Sequence, residues 1–187
     1  MQRDTIAIRW HGRGGQGAIT AAKIVATAAF MSGYAGVVMA PTFGTERRGA
    51  PVFTSLKISK TKIYDLSPIL YPDIVVVLDH LLLAEADVTH GLKPQGMIVL
   101  NTNKSLDDYN YDNVRLAVAD ITSIADEAGL PKGMVNSGII GSFSKAVGLI
   151  DFDLVVDNIK NEFKDKNPEK NARAAILAYE KTIVGGI

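Results

Sequence analysis

Apolar residues along the chain fall into two rhythms. Short runs of β-capable residues alternate with longer segments of helical spacing. Thr5 to Trp10 is a short apolar strand that runs straight into "HGRGGQG". From Gly17 to about Ser32 the chain is Ala-rich, with Ile19, Ala22, Ala26 and Phe30 at helical spacing. Its small side chains imply close packing against a sheet, and Gly33 supplies a C-cap. Gly36 to Ala40 is a second strand, closed by Pro41. Strand, glycine loop, helix and strand compose a βαβ unit, expected to be right-handed with its two strands parallel. After an irregular loop, Val52–Ile58 alternates as a strand does, and Lys62–Tyr64 is a candidate hairpin partner across Ser59–Thr61.

Beyond Pro72 the runs become continuous rather than alternating. Asp73–Asp79, Met97–Asn101 and Val114–Ala119 read as strands buried on both faces. His80–Val88 is expected to be helical, as is Ile121–Ala128, which ends near Gly129. The C-terminal third is helical. It holds Ser137–Leu149, then a helix capped by Asp151 or Asp153 with Val155, Val156, Ile159 and Phe163 on its apolar side. A last helix starts at Asn167-Pro168, with asparagine as the cap and Ala172, Ala175, Ile176, Tyr179 and Ile183 as its stripe. No repeat, low-complexity segment or linker interrupts residues 1–187. The expected fold is a single α/β domain with a mixed, mostly parallel sheet, helices on both faces and a β-hairpin insertion.

Composition narrows the chemistry. Of 187 residues 47% are apolar and 21% charged, and Lys+Arg and Asp+Glu both number 20. Zero net charge argues against a general nucleic-acid binder. The absence of cysteine excludes disulfides, cysteine-ligated iron–sulfur clusters, thiolate zinc sites and a cysteine nucleophile. The three histidines (His11, His80, His90) are widely spaced, which gives a metal site little support. No apolar run is long enough to span a bilayer, so no membrane partner is expected and the location is expected to be cytoplasmic.

Candidate chemistry concentrates in two loops. Gly12, Gly14 and Gly17 form a G-x-G-x-x-G pattern, with Arg13, Gly15 and Gln16 between them. Glycines opening a helix expose amides that attract an anion. A dinucleotide site also needs an acid at the end of the second strand. That place, Met39–Thr42, has none, and the first acid beyond the loop is Glu46. A Walker A reading fails because no Gly-Lys-Ser/Thr follows. The plainer alternative is a glycine turn that only permits tight packing. The second loop, "PTFGTERRGAPV", supplies Thr42, Phe43, Gly44, Glu46, Arg47 and Arg48. Topology places it at the same sheet rim as the glycine loop. Its arginine pair suits a phosphorylated ligand or the carboxylates of a partner, against the alternative of a surface Arg–Glu network. His11 reads as a histidine bonded to backbone beside the turn. Asn101 and Asn136 read as caps or backbone bridges. No residue is assigned as nucleophile or general base.

His11-Gly-Arg-Gly-Gly-Gln-Gly17 with Ala21-Ala22, and Pro41-Thr-Phe-Gly44 with Glu46-Arg-Arg-Gly-Ala-Pro51, resemble the gamma subunits of the 2-oxoacid:ferredoxin oxidoreductase family, the pyruvate branch in particular. Pro72–Asp79, Gly96–Asn101 and Asn136 extend the likeness over nearly the whole chain. The resemblance implies a subunit of an enzyme that oxidatively decarboxylates a 2-oxoacid, forms an acyl-CoA and passes electrons to ferredoxin. It further implies that thiamine diphosphate, magnesium and [4Fe–4S] clusters reside on alpha, beta and delta-type subunits, and that this chain has a part in coenzyme A access, with Gly12–Gly17 and Arg47–Arg48 as a candidate site for coenzyme A or for a subunit contact. A purely structural scaffold subunit and an independent nucleotide-binding protein are the alternatives.

Overall fold

A computed structural model describes residues 5–41 and 47–186. A seven-stranded mixed sheet forms its centre. The strands are β1 (Thr5–Arg13), β2 (Gly36–Pro41), β3 (Pro51–Ser59), β4 (Ile74–Val77), β5 (Met97–Asn101), β6 (Arg115–Ala119) and β7 (Ile183–Gly185), in the spatial order β2-β3-β1-β4-β5-β6-β7. The run β1-β4-β5-β6 is parallel, while β3 is antiparallel to both β1 and β2 and β7 is antiparallel to β6. β1 and β2 therefore point the same way, as expected, but they are not neighbours. β3 lies between them, with Thr5 opposite Ser59 and Gly36 opposite the same residue on the other side. The partners of β3 are thus β1 and β2, and Lys62–Tyr64 does not form a strand.

The helices are α1 (Ala18–Met31), α2 (Leu82–Glu85), α3 (Ile121–Glu127), α4 (Asn136–Val147), α5 (Phe152–Glu162) and α6 (Pro168–Lys181). The long ones bury their apolar sides with Ile8, Trp10, Val76 and Val99 on one face of the sheet. The other face, Val75, Val77, Ile98 and Leu100, is covered by α2, a single 3₁₀ turn at Leu106–Asp108 and loop residues. All four residues of β4 are buried, because β-branched side chains fill both sides of a parallel strand.

Local chemistry sets the ends. α1 closes in a Schellman motif: Gly33 at φ 85° donates its amide to Phe30, and Tyr34 donates to Ala29. α3 repeats it through Gly129 and Leu130. Asp151 caps α5, accepting from the amides of Asp153 and Leu154. Asn167 makes no side-chain cap on α6; it adopts a left-handed φ of 57° instead. The expected helix over His80–Val88 shrinks to one turn, because Ala86 is extended. The buried stripe of α6 also differs from expectation. Ala172, Ala174, Ala175 and Ala178 are buried, whereas Ile176 is exposed and Ile183 lies beyond the helix, in β7. The cause is α4, whose Gly141 comes so close to Ala175 that only small side chains fit the seam.

Candidate functional site

The site is built at the carboxyl ends of β1 and β4. The chain leaves β1 toward one side of the sheet through α1 and later returns to β4 on the other side, so this is the point where strand order reverses and a crevice opens. Side chains alternate along β1. Ile8 and Trp10 enter the core under α1, with Trp10 against Phe143 at 5.2 Å between ring centroids. Arg9, His11 and Arg13 follow the other parity.

The glycine loop and the arginine loop are joined. The Gly14 amide donates to Ala50 O at 2.8 Å and the Gly49 amide to Gly14 O at 3.0 Å. A Cβ on Gly14 would lie 2.4 Å from the Arg47 carbonyl oxygen, so glycine is required for that approach. Gly17 stands at φ 82° directly before α1, and a Cβ there would lie 2.8 Å from Asn136 Nδ2. The amides of Gly15, Gly17 and Ala18 have no partner among the described residues. They border a recess of about 300 Å³ together with Arg13, Gly14 and Thr20. Arg47 and Arg48 are exposed beside it.

Arg13 and Gln16, the two polar residues inside the loop, are committed to the protein itself. Gln16 closes the turn: its Oε1 accepts from the Arg13 amide at 2.8 Å and its own amide donates to Arg13 O at 2.9 Å. The Arg13 guanidinium donates through Nε to Asp79 at 2.7 Å, through both terminal nitrogens to Glu85 at 2.6 and 2.8 Å, and to the Gly49 carbonyl. Hydrogen bonds donated to Glu85 and Asp79 raise the Arg13 pKa. Burial favours protonation of Asp79, but bonds from Arg13 and the Leu81 amide outweigh it and hold the carboxyl below its ordinary range. Arg13 is therefore a clamp joining β1, the Gly49 turn, the end of β4 and α2, and its charge is already neutralised. Thr42, Phe43, Gly44 and Glu46 lie outside the described residues.

Comparison with known proteins matches this architecture. The family model described as pyruvate ferredoxin/flavodoxin oxidoreductase covers residues 7–181. The chain belongs to this family. It is 47% identical to the pyruvate/ketoisovalerate oxidoreductases common subunit gamma of Pyrococcus furiosus, over 96% of this chain and 98% of that one. It is 43% identical to pyruvate synthase subunit PorC of Methanothermobacter marburgensis, over 94% and 97%. The crystal structure of pyruvate oxidoreductase subunit PORC from Thermotoga maritima superposes with a TM-score of 0.84 at 29% identity, covering 98% of this chain and all of the other.

Within this family member the remaining polar residues sort clearly. Asn101 bridges backbone as expected, donating to Leu78 O and accepting from the Ile121 amide. Asn136 accepts from the Ser137 amide through Oδ1 and turns its Nδ2 toward Gly17. His11 departs from expectation: instead of bonding backbone, its Nε2 is buried without a partner among the described residues, and its ring stacks on Phe53 at 5.6 Å. Asp79 and Glu85 are the site residues that pattern reading missed. Their signal is the parallel register of β1 and β4, His11 opposite Val77, which brings residue 79 beside residue 13.

Proposed function

We propose that this chain is the gamma subunit of a multi-subunit pyruvate:ferredoxin oxidoreductase and that its joined glycine and arginine loops hold coenzyme A through its phosphates. The complete enzyme converts a 2-oxoacid and coenzyme A to acyl-CoA and carbon dioxide, passing two electrons to ferredoxin in the cytoplasm. The observation that carries the ligand reading is the row of unpartnered amides at the start of α1, with two exposed guanidinia beside it. The subunit reading rests on gamma-type relatives matched along nearly their whole length.

Residues of this chain do not fit the other groups such an enzyme uses. It has no cysteine for a cluster, and among the described residues no three His, Asp or Glu side chains converge as metal ligands. On this reading thiamine diphosphate, magnesium and [4Fe–4S] clusters are held by alpha, beta and delta-type subunits. The work of this chain is binding and orientation. The Gly15, Gly17 and Ala18 amides would donate to a phosphate, Arg47 and Arg48 would neutralise its charge, and the Arg13 clamp would hold the two loops in register.

A scaffold role is supported by a separate surface. Tyr64, Leu66, Leu70 and Tyr71 are all at least 66% exposed, a run of large apolar side chains that suits a subunit contact. The assembled complex carrying Arg47→Ala/Arg48→Ala separates the two roles. The expected result is a rise of about tenfold or more in the KM for coenzyme A, with 2-oxoacid decarboxylation preserved. A normal KM for coenzyme A removes the ligand role, and failure of the complex to assemble assigns the arginines to subunit contact.

A further inference from the structure

The amino ends of the parallel strands lie at the rim opposite the glycine loop. β3 finishes there, with Ser59 beside Thr5, and residues 60–73 connect it to β4. Part of that connection, Ile63-Tyr-Asp-Leu-Ser-Pro-Ile-Leu-Tyr71, is rich in large apolar residues. Ile69 is buried, whereas Tyr64 is 86% exposed, Leu66 72%, and Leu70 and Tyr71 66% each.

The connection is tied down. Lys57, a buried residue of β3, donates from Nζ to the carbonyl and to the carboxylate of Asp65, both at 3.0 Å. Asp65 in turn accepts the Ser67 amide at 2.9 Å. Side chains already held in one shape have less ordering to lose when a contact forms. Projection and hollow stand side by side. Ile63, Asp65, Ser67 and Pro68 line a recess of about 430 Å³ that reaches in to Ala7. Tyr64 and Leu66 alternate with those wall residues and stand outward. A volume in the range that takes a small ligand also takes one tyrosine side chain. A surface that carries both a projection and the hollow beside it is complementary to itself about a two-fold axis, where each copy gives and receives the same contact.

Charge does not oppose that pairing. Asp65 is paired with Lys57, and Asp73 with Lys93 at 2.8 Å, so two facing copies bring neutral pairs together. Lys60 and Lys62 precede the run, and the Lys60 ammonium lies 3.7 Å from the centre of the Tyr34 ring. The area is sufficient. The four exposed side chains present roughly 500–600 Å², at about 200 Å² for each one if fully bare, which is the upper end of what monomers leave uncovered. Two copies would withdraw about 1,000–1,200 Å² from water, the size at which a specific interface begins. Phe30 and Met31, 68% and 57% exposed in the last turn of α1, stand at the same end of the sheet and enlarge the apolar rim.

We propose that residues 63–71 form a two-fold interface with a second copy of this chain, the Tyr64 side chain of each copy seated in the recess of the other. This gives the exposed run an occupant and does not depend on coenzyme A at the glycine loop. That loop lies at the far end of β1, a strand of nine residues, so pairing leaves both crevices uncovered and facing apart.

Sedimentation equilibrium of the full chain is the first test. A species of twice the 20.0 kDa chain mass is expected at micromolar concentration. Tyr64→Glu/Leu66→Glu would bury carboxylates without partners in the interface and should weaken pairing by roughly a hundredfold or more. Both side chains are exposed, so the circular dichroism spectrum should be unchanged. Because the chain has no cysteine, Tyr64→Cys offers a second measurement. Treated with a bis-maleimide, it should give covalent dimers both alone and in the assembled oxidoreductase, whereas Leu81→Cys, exposed at the opposite rim, should not. A chain that stays monomeric up to about 100 µM overturns the proposal, as does a dimer that Tyr64→Glu/Leu66→Glu leaves intact. Absence of the Tyr64→Cys dimer from the assembled oxidoreductase would place another subunit on this face and overturn it equally. Arg47→Ala/Arg48→Ala should leave pairing unchanged, so a normal coenzyme A KM in that variant removes the phosphate site alone.

Discussion

Gly141→Ala is expected to destabilise the protein by about 3 kcal/mol, although it adds a single methyl group. The new Cβ would lie 2.0 Å from the Ala175 carbonyl oxygen, 2.8 Å from its carbon and 2.9 Å from its Cα. Those atoms are backbone of a neighbouring helix, so no side-chain rotation relieves the overlap. α4 has little room to retreat, because Asn136–Ser144 is buried throughout and Gly138 is pressed against the Ile121 side chain. Thermal unfolding should show a fall of roughly 6–12 °C for a chain of this size. A double variant with Ala175→Gly is the discriminating control. It removes a side chain but not the carbonyl, and should be no more stable than Gly141→Ala alone. Recovery in the double variant would show that the contact is between side chains and not with the α6 backbone.

Arg13→Ala should cost about 1–2 kcal/mol at neutral pH, a moderate value because the Arg13 and Asp79 side chains are 20% and 17% exposed. The loss arises from leaving the Asp79 carboxylate partly buried with no cation. Its pH dependence has a definite sign. In the native protein the Asp79 pKa is depressed, so its contribution is present above the ordinary aspartate pKa of about 3.9 and is lost as pH falls. The stability difference between native protein and variant should therefore be full at pH 7 and shrink below about pH 4. Denaturant unfolding at pH 7 and pH 3.5 tests this, and a difference that stays constant or grows in acid would rule out the Asp79 pairing as its source.

Much of this fold was legible in the pattern of side chains. β5 falls on Met97–Asn101 as read, and α1 and α3 end at the glycines expected of them. Continuous apolar runs and left-handed glycines are local signals, and local signals survive folding. Placement between elements was harder to read. Alternation in residues 52–58 identifies β3, yet nothing within it says that it enters between β1 and β2. The partners of Arg13 were hidden for the same reason, since Asp79 becomes its neighbour only once β4 is known to lie beside β1. The stripe of α6 was misjudged because helical spacing ranks Ile176 with Ala172 and Ala175, while the glycine seam of α4 leaves space only for the alanines. β7, three residues long, is too short for any periodicity to show. At the site itself the joining of the two loops followed from topology, but the commitment of Arg13 and Gln16 to internal contacts depended on distances.

The insertion of β3 between β1 and β2 also sets a timetable for synthesis. β1, the glycine loop, α1 and β2 all emerge within the first 41 residues, but neither strand has its hydrogen-bonding partner until residues 51–59 follow, and β1 awaits β4 at 74–77 for its second edge. A ribosome adding roughly 5–20 residues each second therefore holds an open, apolar fragment for seconds before the crevice can close. The loop that makes the site is among the earliest segments made, yet its bonds to Ala50, Asp79 and Glu85 wait until those residues have followed.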